Sequence, residues 1–89
     1  MTYSIRWSRR ATNELADVWL NNPADRDQIV QATATADHVL AENPEDEGES
    51  RDEGKRVMFL SPLVIYYSVD SARQIVRVLE IRGTRRTKG

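Results

Sequence analysis

The side chains best suited to chemistry crowd into the last third of the chain. Arg73, Arg77, Arg82, Arg85, Arg86 and Lys88 fall there with Glu80 as the only acid among them, and Lys55 and Arg56 open the same segment. Arginine offers a planar fork that matches phosphate or carboxylate oxygens, and lysine a compact charge. From Lys55 to Lys88 the chain reads as three apolar, strand-like runs joined by two short turns, with the arginines at the end. A sheet that holds such a cluster in place makes it a phosphate reader or an anchor for an acidic partner; on a loose tail the same residues mean much less.

Other chemistry is excluded by composition. The absence of cysteine removes disulfides, thiolate zinc sites and thiol nucleophiles together, and a single histidine, His38, argues against a metal cage or a serine-histidine triad. No cofactor or metal is expected. At 89 residues the chain is read as one domain, 1–89, able to bury roughly 60 to 65 per cent of its unfolded surface and so without a deeply enclosed active site. Hydrophobic residues make up 39 per cent and charged residues 30 per cent, the balance of a soluble globular protein. No apolar run approaches the roughly 20 residues that span a bilayer, and Met1 to Trp7 lack a signal-peptide core. A cytoplasmic location is expected.

The formal net charge of -1 conceals an asymmetry, because eight of the 14 acidic residues lie between Asp37 and Glu53. Residues 44–54, PEDEGESRDEG, contain six of them and two glycines. With nothing to bury, the segment is expected to be a mobile connector. Lys55 and Arg56 follow it directly, so neutralising it is one role open to them.

The elements that position these groups follow from periodicity. Tyr3, Ile5 and Trp7 alternate with Ser4 and Arg6, which predicts a short strand with one buried face. Ser8 is a good N-cap, and Ala11, Leu15, Val18 and Trp19 recur at helical spacing, so a first helix is expected to end near Asn21. Asn22-Pro23 predicts a sharp corner, since the residue before proline resists the helical conformation while proline suits a first turn. Ile29, Ala32, Ala36, Val39 and Leu40 then form the stripe of a second helix ending at Asn43-Pro44. Strands follow at 55–60, 63–69 and 75–81, with turns at Ser61-Pro62 and Asp70 to Arg73. In the middle strand Leu63, Ile65, Tyr67 and Val69 share one face and Val64, Tyr66 and Ser68 the other, so one of the two adjacent tyrosines is core; a strand apolar on both faces lies centrally. Trp7 and Trp19 are read as core anchors and His38 as a surface residue. The order β-α-α-β-β-β predicts an α+β domain, with a helical hairpin packed on one face of a mainly antiparallel sheet.

This order, the proline-bounded second helix, Tyr67-Ser68-Val69, Val78-Leu79-Glu80-Ile81-Arg82 and the terminal arginines together resemble the RelE/ParE toxin superfamily over nearly the whole chain. The resemblance implies a toxin of a bacterial type II toxin-antitoxin system, of the kind associated with plasmid stabilization, neutralised by a cognate antitoxin protein. Such antitoxins present a helix and an extended segment, so an apolar groove is expected between the two helices and the last strand.

The resemblance implies two mechanisms. RelE-like members act at the ribosome as mRNA interferases, metal-independent endoribonucleases, and ParE-like members inhibit DNA gyrase. A nuclease needs cations around the pentacoordinate phosphate and groups that move protons. By resemblance Lys55 and Arg56 supply second-strand cations, Arg85 or Arg86 the cation after the last strand, and Arg82 and Tyr66 complete the candidate set. Two roles stay poorly filled: the third-strand arginine falls at Val64, and no tyrosine follows Tyr67. The ParE-like reading tolerates both departures and is preferred, with mRNA cleavage as the alternative and a degenerate member that only binds antitoxin as a third. Convergence of Arg56, Arg82 and Arg85 with Tyr66 on one concave face would favour the nuclease; scattered arginines would leave binding alone.

Overall fold

The computed structural model describes residues 2–50 and 54–83. Strand β1 (Ser4–Trp7) leads into helix α1 (Arg9–Asn21), a 3-10 turn at Pro23–Asp25, helix α2 (Arg26–Glu42), a two-residue strand β2 (Glu49–Ser50), and strands β3 (Lys55–Leu60), β4 (Leu63–Asp70) and β5 (Ile75–Gly83). The sheet order is β1-β5-β4-β3-β2, so β4 is central as its two-sided apolar pattern predicts. The last three strands form the expected antiparallel meander. β1 adds a parallel pairing to β5, which makes the sheet mixed.

Local chemistry starts and stops the helices. The Ser8 hydroxyl accepts from the Ala11 amide at 2.9 Å and satisfies one of the orphan donors of α1. At the other end the Asn22 side chain donates to the Val18 carbonyl at 2.8 Å, and Pro23 occupies the first position of the 3-10 turn that makes the corner. α2 closes where the Asn43 amide donates to the Val39 carbonyl, just before Pro44.

Both helices pack on the same side of the sheet. Ala11 from α1 and Ala32, Ala36 and Leu40 from α2 meet Met58, Leu63, Ile65, Tyr67, Val76, Val78 and Ile81 in one core cluster. Each fully buried Leu, Ile or Val here contributes roughly 1.5–3 kcal/mol relative to exposure. Trp7 packs against this cluster, but Trp19 does not belong to it and is 36% exposed. The apolar stripe of α1 is wide enough to serve two neighbours, and Trp19 lies on the side turned toward α2.

The acidic connector is also corrected. Pro44 is fully buried, and β2 pairs with β3 through Glu49 opposite Val57 and Ser50 opposite Arg56. The hydroxyl of fully buried Tyr67 lies 2.8 Å from the Pro44 carbonyl and 2.5 Å from that of Glu47, sharing its proton between them. Residues 44–50 are thus held through their backbone, a role that their acidic side chains do not reveal. Among the described residues no helix is long and apolar enough to cross a membrane.

Candidate functional site

The register sorts the basic residues onto faces. Leu63, Ile65 and Tyr67 of β4 are buried toward the helices, so Val64, Tyr66 and Ser68 line the side the helices leave open. Cross-strand partners share that open face: Phe59 and Arg82 flank Val64, Val57 and Glu80 flank Tyr66, and Lys55 and Arg77 flank Ser68. Arg6 of β1 continues the last row, directly opposite Arg77. The pairing shifts between Tyr66 and Tyr67, leaving Leu79 as the extra residue of a β-bulge.

The nuclease candidates divide between the faces. Lys55, Tyr66 and Arg82 lie on the open one. Arg56 instead shares the row of Tyr67. Its guanidinium donates to the Glu47 carbonyl at 3.1 and 3.2 Å, the Gly48 carbonyl at 3.3 Å and the Ser50 hydroxyl at 3.1 Å. It therefore braces the connector by backbone bonding, beyond the charge neutralisation open to it from sequence. Arg85 and Arg86 lie outside the described residues. Arg82 sits opposite Val64, the position where the resemblance places an arginine.

Arg82 is itself engaged. It donates to the Glu80 carboxylate from two nitrogens, Nε at 2.5 Å, and Arg10 of α1 reaches the same carboxylate oxygen at 3.5 Å. Arg10 also binds Glu14 at 3.0 Å, four residues on, and Glu14 accepts from the Ile81 amide at 2.8 Å. Burial pushes the Glu14 carboxyl up, but the Ile81 amide bond, the bond and charge of Arg10, and the charge of Arg82 outweigh it and hold the carboxyl below its ordinary value. The Glu14 hydrogen bond, with the charges of Glu80 and Glu14, raises Arg10. This Arg10-Glu14-Glu80-Arg82 chain is a structural clasp joining α1 to β5. Sequence reading missed it, although the i,i+4 spacing of Arg10 and Glu14 was visible.

Burial of the Tyr67 hydroxyl pushes its pKa up, opposed by the Arg56 hydrogen bond and charge and assisted by Glu47. A buried hydroxyl committed to two carbonyls is not a proton-transfer group. His38 is exposed on α2. Among the described residues no cluster of three His, Cys, Asp or Glu side chains is placed to hold a metal.

A groove of about 570 Å³ runs between the outer faces of the helices. Leu15, Ala16 and Trp19 of α1 and Ile29, Val30 and Ala34 of α2 give it apolar walls, with Thr12, Thr33 and Asp37 at its margins. The groove expected from sequence also involved the last strand; no strand residue lines this one. Arg26 closes over Trp19, its guanidinium 5.2 Å from the ring centroid and its Nε donating to the Trp19 carbonyl at 3.1 Å. Val30, 52% exposed, stands on the rim.

Residues 5–87 match the family model described as ParE toxin of type II toxin-antitoxin system, parDE. The chain belongs to the ParE toxin family. The fold of this ParE-family toxin recurs in a chain of the RelBE2 toxin-antitoxin complex from Mycobacterium tuberculosis, at 18% identity and a TM-score of 0.74, covering 93% of this chain and 99% of that one. A chain of the chromosomal ParDE system of P. aeruginosa is as similar, at 19% identity and a TM-score of 0.74 over 94% of this chain and 98% of that one. The isolated E. coli RelE toxin matches at 16% identity and a TM-score of 0.62, over 97% and 88% respectively. At such low identity these likenesses show the fold alone. No curated protein matches the chain.

Proposed function

We propose that this ParE-family toxin acts without cleaving nucleic acid, by inhibiting DNA gyrase, and is neutralised by a cognate antitoxin seated in the groove between α1 and α2. The observation that carries the noncatalytic reading is the separation of Arg56 from Arg82. They lie on different rows of the sheet, one bonded to backbone carbonyls and the other to Glu80. A nuclease needs such groups free and aimed at one phosphate, and losing one preorganised stabiliser typically costs about 10²- to 10³-fold in rate. A binding toxin needs only the surface. The antitoxin reading is supported by the apolar helix-helix groove, which suits the nonpolar face of a partner helix, and by folds shared with chains solved in toxin-antitoxin complexes.

One observation favours the alternative, a RelE-like ribosome-dependent endoribonuclease: Lys55, Tyr66 and Arg82 do share the open face. Purified protein added to translating ribosomes separates the two. Intact mRNA supports the noncatalytic reading, and cleavage within codons, abolished by Arg82→Ala, overturns it.

A further inference from the structure

Three of the four large hydrophobic side chains that stand exposed among the described residues, Trp19, Leu20 and Val30, belong to the two helices. Exposed apolar side chains gathered on a small chain mark a contact surface. The groove between the helices carries charge as well as apolar walls. On α2 its stripe runs Arg26, Ile29, Val30, Thr33, Ala34 and Asp37, spaced by three or four residues and so on one face. The two ends are opposite in sign. Arg26 covers Trp19 at one, and exposed Asp37 lines the groove at the other. Among the described residues neither takes part in an ion pair.

Arg26 and Asp37 stand about 16 Å apart along the helix. A stripe with a cation at one end and an anion at the other is complementary to itself when turned end for end. Setting Arg26 opposite the partner's Asp37 in an antiparallel copy brings Ile29 opposite the partner's Ala34 and Val30 opposite the partner's Thr33, each larger side chain against a smaller one. Two-fold symmetry repeats the relation, so an ion pair forms at each end. A helix of an unrelated chain would have to supply both charges at that spacing, whereas a second copy already has them. Helices of 13 and 17 residues are about 20 and 25 Å long, and neighbouring helices lie about 8–10 Å apart. Such a face is at the lower end of specific interfaces, which makes the association weak and micromolar.

We propose that a second copy of this chain covers the groove, with α2 packed antiparallel on α2 so that Arg26 of each copy meets Asp37 of the other. Val30 and Trp19 lose their exposure at the contact. The antitoxin reading uses the same groove, so self-association belongs to the antitoxin-free toxin and the two occupants exclude each other. Only that exclusion rests on the antitoxin reading; the dimer does not.

Sedimentation equilibrium of the purified full chain alone, at low salt and rising concentration, tests this. The mean mass climbs from 10.2 kDa toward twice that value, and added salt weakens the association. Arg26→Glu sets like charges against each other at both ends of the dimer, and so does Asp37→Arg. Each variant alone associates about tenfold more weakly than the parent, or worse, since two attractions become two repulsions. An equimolar mixture of the two variants recovers most of the parent's affinity, because each end again joins opposite charges. That recovery also shows that both variants are folded, and an apolar patch without a fixed register would not produce it. A parent that stays monomeric throughout overturns the proposal, whatever the variants do. So does either variant associating as tightly as the parent, or a mixture no tighter than its components; the groove would then be left to the helix of another chain. The measurement contains no antitoxin, so its failure leaves the antitoxin reading standing.

Discussion

The Glu14 carboxylate accepts the Ile81 backbone amide at 2.8 Å, so a helix side chain completes the ladder of a β-strand. β1 pairs with β5 only as far as Val78, after which α1 takes over the exposed edge. The Ser8 amide donates to the Val78 carbonyl at 3.0 Å, the Ser8 hydroxyl to that of Leu79 at 3.1 Å, and Glu14 receives Ile81. An open strand edge that would otherwise invite pairing with another chain is closed. Glu14→Ala orphans the partly buried Ile81 amide and should cost about 1–3 kcal/mol in denaturant unfolding. Glu14→Gln keeps an acceptor there and should cost less.

The same carboxyl makes stability depend on acid. Its folded pKa lies below its ordinary value, so its contribution is complete above the unfolded value of about 4.3 and is lost as pH falls toward the lower folded one. Between pH 6 and pH 3 the unfolding free energy of the parent should fall more than that of Glu14→Gln. An equal fall in both would show that the clasp carries no pH dependence.

Tyr67 governs the other end of the pH range. Its folded pKa is raised chiefly by burial, so its contribution is present below about pH 10 and is lost as pH climbs through the folded value. Tyr67→Phe removes the donor to the Pro44 carbonyl while Arg56 still serves Glu47. A loss of about 1–2 kcal/mol at neutral pH is expected, with a flatter decline above pH 10, read from urea titrations.

Gly48 has φ +72, and a Cβ there would come 2.5 Å from the Val57 carbonyl oxygen and 2.9 Å from the Tyr67 hydroxyl. Gly48→Ala therefore strains the backbone and collides with β3 at once, and should lower stability by about 2 kcal/mol or more. Calorimetry should show the drop. Gly54 also has positive φ but open space around it, so Gly54→Ala should cost only the conformational strain.

Trp19 separates folding from partner binding. At 36% exposure with Arg26 stacked on it, its truncation should cost the isolated toxin about 1 kcal/mol. As the central aromatic of the groove it should cost the antitoxin complex 2 kcal/mol or more, seen as lost copurification with the product of the adjacent reading frame. A variant that keeps its partner would move the antitoxin off this groove.

Much of this architecture is local and so was legible. Ser8, Asn22-Pro23 and Asn43-Pro44 bound the helices, and the period-2 pattern from Leu63 to Val69 assigned the faces of β4 and required one of Tyr66 and Tyr67 to be core; the structure buries Tyr67. The unread parts are non-local. Nothing in Tyr3 to Trp7 says that β1 will run parallel to β5, and only that register brings Arg6 against Arg77. The connector hid its anchorage because Arg56 and Tyr67 bind the carbonyls of Pro44, Glu47 and Gly48, which every residue type possesses. For the candidate site, charge clustering pointed to the last third of the chain without sorting its cations between faces, and which arginines are engaged depended on Glu80 and Glu14, one of them 67 residues away from the strand amide it binds.

Gyrase supercoiling with relaxed plasmid and ATP, in the absence of ribosomes, tests the noncatalytic, gyrase-directed reading most directly. Purified toxin should inhibit supercoiling in proportion to its concentration, and addition of the cognate antitoxin should restore it. Full supercoiling at saturating, correctly folded toxin would contradict that reading.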